Sequence, residues 1–311
     1  MQLLIKRVVL LASVLLTGCM EPPASSEQSG QPESEPDRLR IVVINAPLAY
    51  FAERLGGELV GVDLLVAAGA DPANWRPEVA DVMAMQAADL ILLNGAGYEP
   101  WIERVSLPEA RVLISSDAVA DQLIKSETIT HRHGPEGDHS HTETAFTLWL
   151  DPVLAVEQAR SVAAAISVLR PEAAEAVGER MGDLERELQQ LHEAWLQVAA
   201  QLGSAPVLFS HPVYQYLERR YQLNGRSLHW EPDADPGESE WSSLAQLLES
   251  RPATLMVWEG EPLPETVRRL SALGITTVVV EPAADAGPGA DFLKRQLANV
   301  ARFKTALKPL Q

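Results

Sequence analysis

The sequence predicts an α/β protein of two similar lobes, each a mainly parallel sheet flanked by helices, joined by one long rigid helix. Three observations carry this. Short β-type runs alternate with amphipathic segments along both halves of the chain, as strands separated by crossover helices do. One helical stretch, Glu172 to Leu202, spaces apolar residues at Val177, Met181, Leu184, Leu188, Leu191 and Leu196. At 1.5 Å per residue it would run roughly 45 Å, more than one lobe needs, so it reads as a spine between two. Beyond residue 38 the chain keeps ordinary hydrophobic content over enough length for two separate cores.

The elements follow in order. Lys6 and Arg7 precede an apolar run from Val8 to Leu16, the layout of a secretory leader and too short to stay in a bilayer as a spanning helix. Residues 1–18 are therefore read as a signal peptide and the protein as exported. The leader ends in Leu16, Thr17, Gly18 and Cys19, which resembles the lipobox of bacterial lipoproteins. That resemblance implies cleavage before Cys19 and lipid on its sulfur, anchoring the protein in the periplasm or on the cell surface. Cys19 is the single cysteine, so no internal disulfide can form. Residues 19–38, rich in Pro, Ser and Glu, cannot bury enough surface to fold and read as a tether.

The first lobe, residues 39–170, reads as strands at Leu39 to Asn45, Leu59 to Val66, Ala88 to Asn94 and Arg111 to Ser115. Helices fall at Leu48 to Leu55, stopped by Gly56 and Gly57, and at Pro152 to Leu169. Residues 171–202 form the linking helix. The second lobe, 203–311, repeats the alternation. Its strands are read at Pro206 to Ser210, Ser227 to Trp230, Thr254 to Trp258 and Thr276 to Glu281, and its helices at Val213 to Tyr221, Trp241 to Ser250, Pro264 to Leu273 and Ala290 to Ala306.

Four of the seven histidines, His131, His133, His139 and His141, fall in a loop spanning residues 129–145, where Gly134, Pro135 and Gly137 oppose regular structure. Imidazoles interleaved with Glu136, Asp138 and Glu143 suit a divalent cation, zinc above others, bound weakly at several places. A solvated polar loop is the plain alternative. The formal charge of −18 becomes −20 once Lys6 and Arg7 leave with the leader, which disfavours nucleic acid or anionic lipid and concentrates cations near the surface.

The blocks VVINAPLAYFAERLGGELVGVDLLVAAGADP, ADLILLNGAGYEPWIERV, LWLDP, LFSHPVYQYLERRYQLN and VVVEP, in this order, resemble the metal-binding lipoproteins that feed zinc and manganese ABC importers. The resemblance covers nearly all of the mature chain. It implies two lobes joined by a long helix and a cation held between them by about three histidines and a carboxylate. It also implies an ABC permease as partner, and a monomeric receptor attached to the membrane through its lipid.

Carried over residue by residue, the implied ligands are incomplete. GADPANWRP places Ala73 where the family has its first histidine and Arg76 where it has a glutamate, and TLWLDP places Thr147 at the second histidine. His211, directly after a strand, matches the third, and Glu281 stands where the family has aspartate. His229, beside Trp230 and Glu231, is a candidate replacement, as is His141 folding over the cleft; a strand histidine bonded to backbone is the alternative for His229. Arg76 reaching Glu281 would occupy the site with an internal ion pair. Trp75 and Trp149 either line a cleft for an organic ligand or pack in the core.

Enzyme motifs fail on inspection. His192 and Glu193 start a zinc-protease pattern, but Leu196 replaces its second histidine. Gly95 and Gly97 start a dinucleotide loop, but Pro100 holds the third glycine position. Ser210 and His211 are adjacent, an arrangement that rarely lets one activate the other. The reading is a non-enzymatic solute receptor of a metal importer, with zinc as its cation and manganese second. The alternative is a degenerate paralogue that binds a small organic or anionic ligand, or stores zinc on its His-rich loop.

Overall fold

The computed structural model describes residues 38–67, 70, 72–125, 130–132, 138–140, 144–285 and 291–308, with 130–132 and 138–140 as backbone only. Cys19, the leader, the tether to residue 37, His133 and His141 lie outside the described residues.

The first sheet is built from β1 (Leu39–Val43), β2 (Val60–Leu64), β3 (Leu90–Leu93) and β4 (Val112–Ile114), all parallel, in the order β2-β1-β3-β4. Apart from the exposed Arg40, residues of β1 and β3 are buried on both faces, as covered parallel strands require, which is why they read as apolar runs. Helix α1 (Ala46–Gly56) starts on Asn45, whose side chain accepts from the Leu48 amide at 3.0 Å. It ends where Gly57 takes a positive φ of 56°. Helix α2 (Val79–Ala87) is an element without a sequence signal: it buries Met85 alone, so its apolar stripe is too thin to announce a helix.

A second departure lies in the His-rich segment. There β5 (Thr130–Arg132) and β6 (Asp138–Ser140) pair antiparallel, with His131 opposite His139. Gly134, Pro135 and Gly137 oppose strand structure only where they stand, and they fall between the two strands.

Helices α3 (Pro152–Leu169) and α4 (Ala174–Leu202) follow; α4 runs 29 residues and packs against α1, α3, and two helices of the second half. Its buried row, Val177, Met181, Leu184, Leu188, Leu191, Trp195, Val198 and Leu202, keeps helical spacing throughout. Leu196 is exposed, and Trp195 holds the core position beside it. The α3 helix is long and apolar enough to cross a membrane, but its buried face packs against α1 and α4.

The second sheet comprises β7 (Val207–Phe209), β8 (Gly225–Ser227), β9 (Leu255–Trp258) and β10 (Thr276–Val279), parallel and ordered β10-β9-β7-β8. Around it lie α5 (Gln215–Tyr221), α6 (Glu238–Ser250), α7 (Pro264–Ala272) and α8 (Phe292–Leu307). The strand expected at Ser227 to Trp230 sits earlier, yet the extended chain continues past it. Leu228 N and Trp230 N still donate to Phe209 O and Ser210 O, each at 2.8 Å.

One continuous core runs from Leu39 through α1, α3, α4, the inner face of the second sheet and α8 to Leu307. Phe292 of α8 meets Tyr50 and Phe51 of α1 at ring separations of 5.8 and 5.6 Å. Asp151, fully buried, caps α3 through the Val153 amide at 3.0 Å and accepts from Arg220 Nε of α5 with both oxygens, at 2.8 and 2.7 Å. Removing it strips the cap and leaves the half-buried Arg220 guanidinium without its carboxylate, so Asp151→Ala should cost about 2 kcal/mol. Denaturant unfolding measures this, and a loss below about 1 kcal/mol would contradict the account.

Candidate metal centre

Both sheets share one connectivity: the first strand pairs on one side with the second and on the other with the third. Each therefore has a crevice at the carboxyl ends of its first and third strands, where chain direction across the sheet reverses and ligands collect. In the second sheet those strands are β7 and β9, and the residues that leave them are His211 and Glu259. Glu231 arrives from the extension of the neighbouring strand β8.

These three side chains converge. Glu259 Oε1 lies 3.3 Å from Nδ1 of His211 and Glu231 Oε1 lies 3.8 Å from Nε2. Among the described residues they form a group whose ligand atoms all fall within 4.8 Å of one another. Their side chains are 15, 30 and 21 % exposed for His211, Glu231 and Glu259, so they line a partly covered surface that an ion can reach. His229 stands beside the group, its ring perpendicular to that of His211 at 6.0 Å. Leu228 and Trp230 pack in the core on the outer face of the second sheet.

Glu281 follows β10 and is engaged differently. Arg295 Nη2 reaches its Oε2 at 3.0 Å, and Arg302 Nη2 reaches its Oε1 at 3.0 Å. Arg295 also bonds Asp285 at 3.0 Å. The ion pair that Arg76 would make on reaching Glu281 is made instead by two arginines of α8, and Arg76 itself is exposed. Tyr214 sits near both carboxylates, and its hydroxyl is raised well above the usual tyrosine range by burial first and then by the charges of Glu259 and Glu281.

The other implied ligand positions hold no metal-type donor. Ala73 packs against the main core, and Thr147 is buried with its hydroxyl donating to Val213 O at 2.6 Å. Trp149 is a core residue whose Nε1 donates to Pro282 O at 2.8 Å, and Trp75 meets Trp101 edge-on in a satellite core. Ser210 is fully buried, so it is no exposed nucleophile. Glu259 escaped the sequence reading, although it directly follows a strand as His211 does; one rule, applied to every strand end, would have found it.

Gly95 and Gly97, the start of a dinucleotide pattern that fails at Pro100, serve the fold. Gly95, Ala96 and Gly97 do take positive φ, but the Asn94 and Gly95 amides donate to Glu99, at 2.7 and 2.9 Å. An internal carboxylate fills the role an anion would have.

The family model described as zinc-uptake complex component A, periplasmic, matches residues 41–306. The chain belongs to that family. It is similar to the zinc-binding lipoprotein AdcA of Streptococcus pneumoniae, 24 % identical over 253 residues, or 79 % of this chain and 50 % of that protein. It is similar also to the high-affinity zinc uptake system protein ZnuA of Bacillus subtilis, 23 % identical over 245 residues, covering 77 % of this chain and 74 % of the other. The crystal structure of Zn(II)-bound AdcA from Streptococcus pneumoniae shares the fold, with a TM-score of 0.72 at 19 % identity over 87 % of this chain and 58 % of that one. The chain thus spans about half the length of its AdcA relatives. This is a family of transport components, not of enzymes.

Burial pushes the Glu99 carboxyl up to about 7, although the backbone amides of Asn94, Gly95 and Glu99 itself pull it down. An acid raised in the folded state keeps its proton there while the unfolded chain releases it, so its contribution is full at low pH and is lost as pH rises through about 7. Between pH ~4.5 and ~7, unfolding of Glu99→Gln should release about one proton fewer than the parent, read from the pH slope of stability. Equal slopes would show Glu99 ionised throughout.

Proposed function

We propose that this family member is the solute receptor of a metal ABC importer, with zinc as its cargo, and that it catalyses no reaction. The observation that carries the reading is the convergence of His211, Glu231 and Glu259 at the reversal point of the second sheet. One imidazole nitrogen and two carboxylate oxygens are donors that zinc accepts, and a coordination position left to water suits a cargo that must later leave. The acidic surface adds a long-range attraction for cations. Lipid on Cys19 would hold the receptor at the membrane, with residues 20–38 as a tether that lets it meet the permease.

Metal-stripped mature protein should take up one tight equivalent of zinc, and His211→Ala should weaken that equivalent at least tenfold, or about 1.4 kcal/mol, by competition titration. Weak binding alone, abolished by deleting residues 131–141, would make the chain a zinc store instead. In cells, Cys19→Ser should move the protein from the membrane to the soluble fraction and remove the acyl mass from its amino terminus. A wild-type protein that is soluble with an unmodified thiol would overturn the anchor.

A further inference from the structure

His211 leaves β7 on a tight turn, and whatever holds that turn decides where its imidazole stands. Ser210 N donates to Val257 O at 2.8 Å, which ends the strand against β9. Pro212 follows with a fixed φ and no N–H to offer. The carbonyls of His211, Pro212 and Val213 all accept: from Val213 N at 2.9 Å, from Gln215 Nε2 at 2.6 Å and from Thr147 Oγ1 at 2.6 Å. The first two donors belong to the turn and to α5, so they shape the turn without fixing where it lies. Thr147 belongs to the other lobe.

The Thr147 hydroxyl is a firm point of attachment. Its residue is buried, and the chain is tied down on both sides of it. Phe146 O accepts from Asn94 Nδ2 at 2.9 Å, and Trp149 Nε1 donates to Pro282 O at 2.8 Å. A β-branched side chain has few χ1 choices, so a fixed backbone fixes the hydroxyl. Tyr214 also anchors the chain here, but through the far end of its ring, whose hydroxyl donates to Val280 O at 2.8 Å. Thr147 grips the peptide itself, two residues from the imidazole. A ligand held in place before the ion arrives loses less freedom on binding, and affinity gains accordingly.

We propose that Thr147 is a positioning residue for the cation, setting the turn that presents His211 through its hydrogen bond to Val213 O. This rests on the receptor reading, with His211 as a ligand, and adds a role for the other lobe. The position at which the family resemblance implies a histidine still serves the site, by a hydrogen bond across the lobes in place of a bond to metal.

Zinc titration of the full mature chain by chelator competition, well below the melting temperature of each variant, tests this. Thr147→Val keeps the shape and removes the donor, and should weaken zinc by about threefold or more. Thr147→Ser restores the donor and should stay within about twofold of the parent. In a His211→Ala background, Thr147→Val should change affinity by less than about twofold, because the residue through which it acts is gone. Should Thr147→Val fail to fold, its methyl pressing on the carbonyl that the hydroxyl now meets at 2.6 Å, Thr147→Ala removes the donor without that contact and carries the same expectation. Parent-like affinity in the folded variant that lacks the hydroxyl, or an equal loss in both backgrounds, overturns the inference and leaves the receptor reading standing. A tight zinc equivalent that His211→Ala leaves intact, or no tight equivalent in the parent, overturns the receptor reading and this inference with it.

Discussion

The stretch after the last strand, Val280 to Ala284, ties the described halves of the molecule together through the carbonyls of Pro282 and Ala284. Tyr214 donates to Val280 O, Trp149 to Pro282 O, and the Ala46 amide to Ala284 O, each at 2.8 Å. Between these bonds Glu281 is fixed through its amide, its carbonyl and both carboxylate oxygens. Ala283, buried, holds a positive φ of 59°, a conformation a non-glycine residue keeps only where its surroundings impose it. Trp149 and Ala46 belong to the first lobe, so the exit of β10 is tied across to it. The continuous core along α4 then shares one set of packed faces between the sheets, and close packing resists sliding.

That constraint separates two roles that a strand-end carboxylate can play. Glu259 and Glu281 both leave the second sheet at its carboxyl edge, and both act on Tyr214 electrostatically. Glu281 faces α8, which brings Arg295 and Arg302, and so joins the last strand to the last helix. Glu259 faces the crevice, where its carboxylate lies 3.3 Å from the His211 ring. Position at a strand end makes a residue available; the helix packed against it decides whether a metal or an arginine takes it.

Most of the fold was legible because its elements bury strong periodic patterns. The long helix announces itself through a seven-turn apolar row, and the parallel strands through unbroken runs such as LILL and LMVW. Helix α2 was not legible, since its contacts bury only Met85, and β8 was misplaced because its extension after Ser227 keeps bonding to the neighbouring strand. Of the candidate group, His211 could be read from its place after a strand and within a family block, and His229 as its neighbour. Glu231 and Glu259 converge from residues 20 and 48 positions further along, a coincidence that only the strand order creates. The Glu281 clamp was hidden in the same way, because Arg295 and Arg302 look like ordinary surface positions of an amphipathic helix until that helix is docked.

The most direct measurement is anomalous X-ray diffraction at the zinc absorption edge from crystals of the zinc-loaded protein. The account predicts a dominant peak within bonding distance, about 2.0–2.2 Å, of His211, Glu231 and Glu259, with Glu281 still between its two arginines. A dominant peak on the Glu281 carboxylate, with Arg295 and Arg302 swung away, would contradict it.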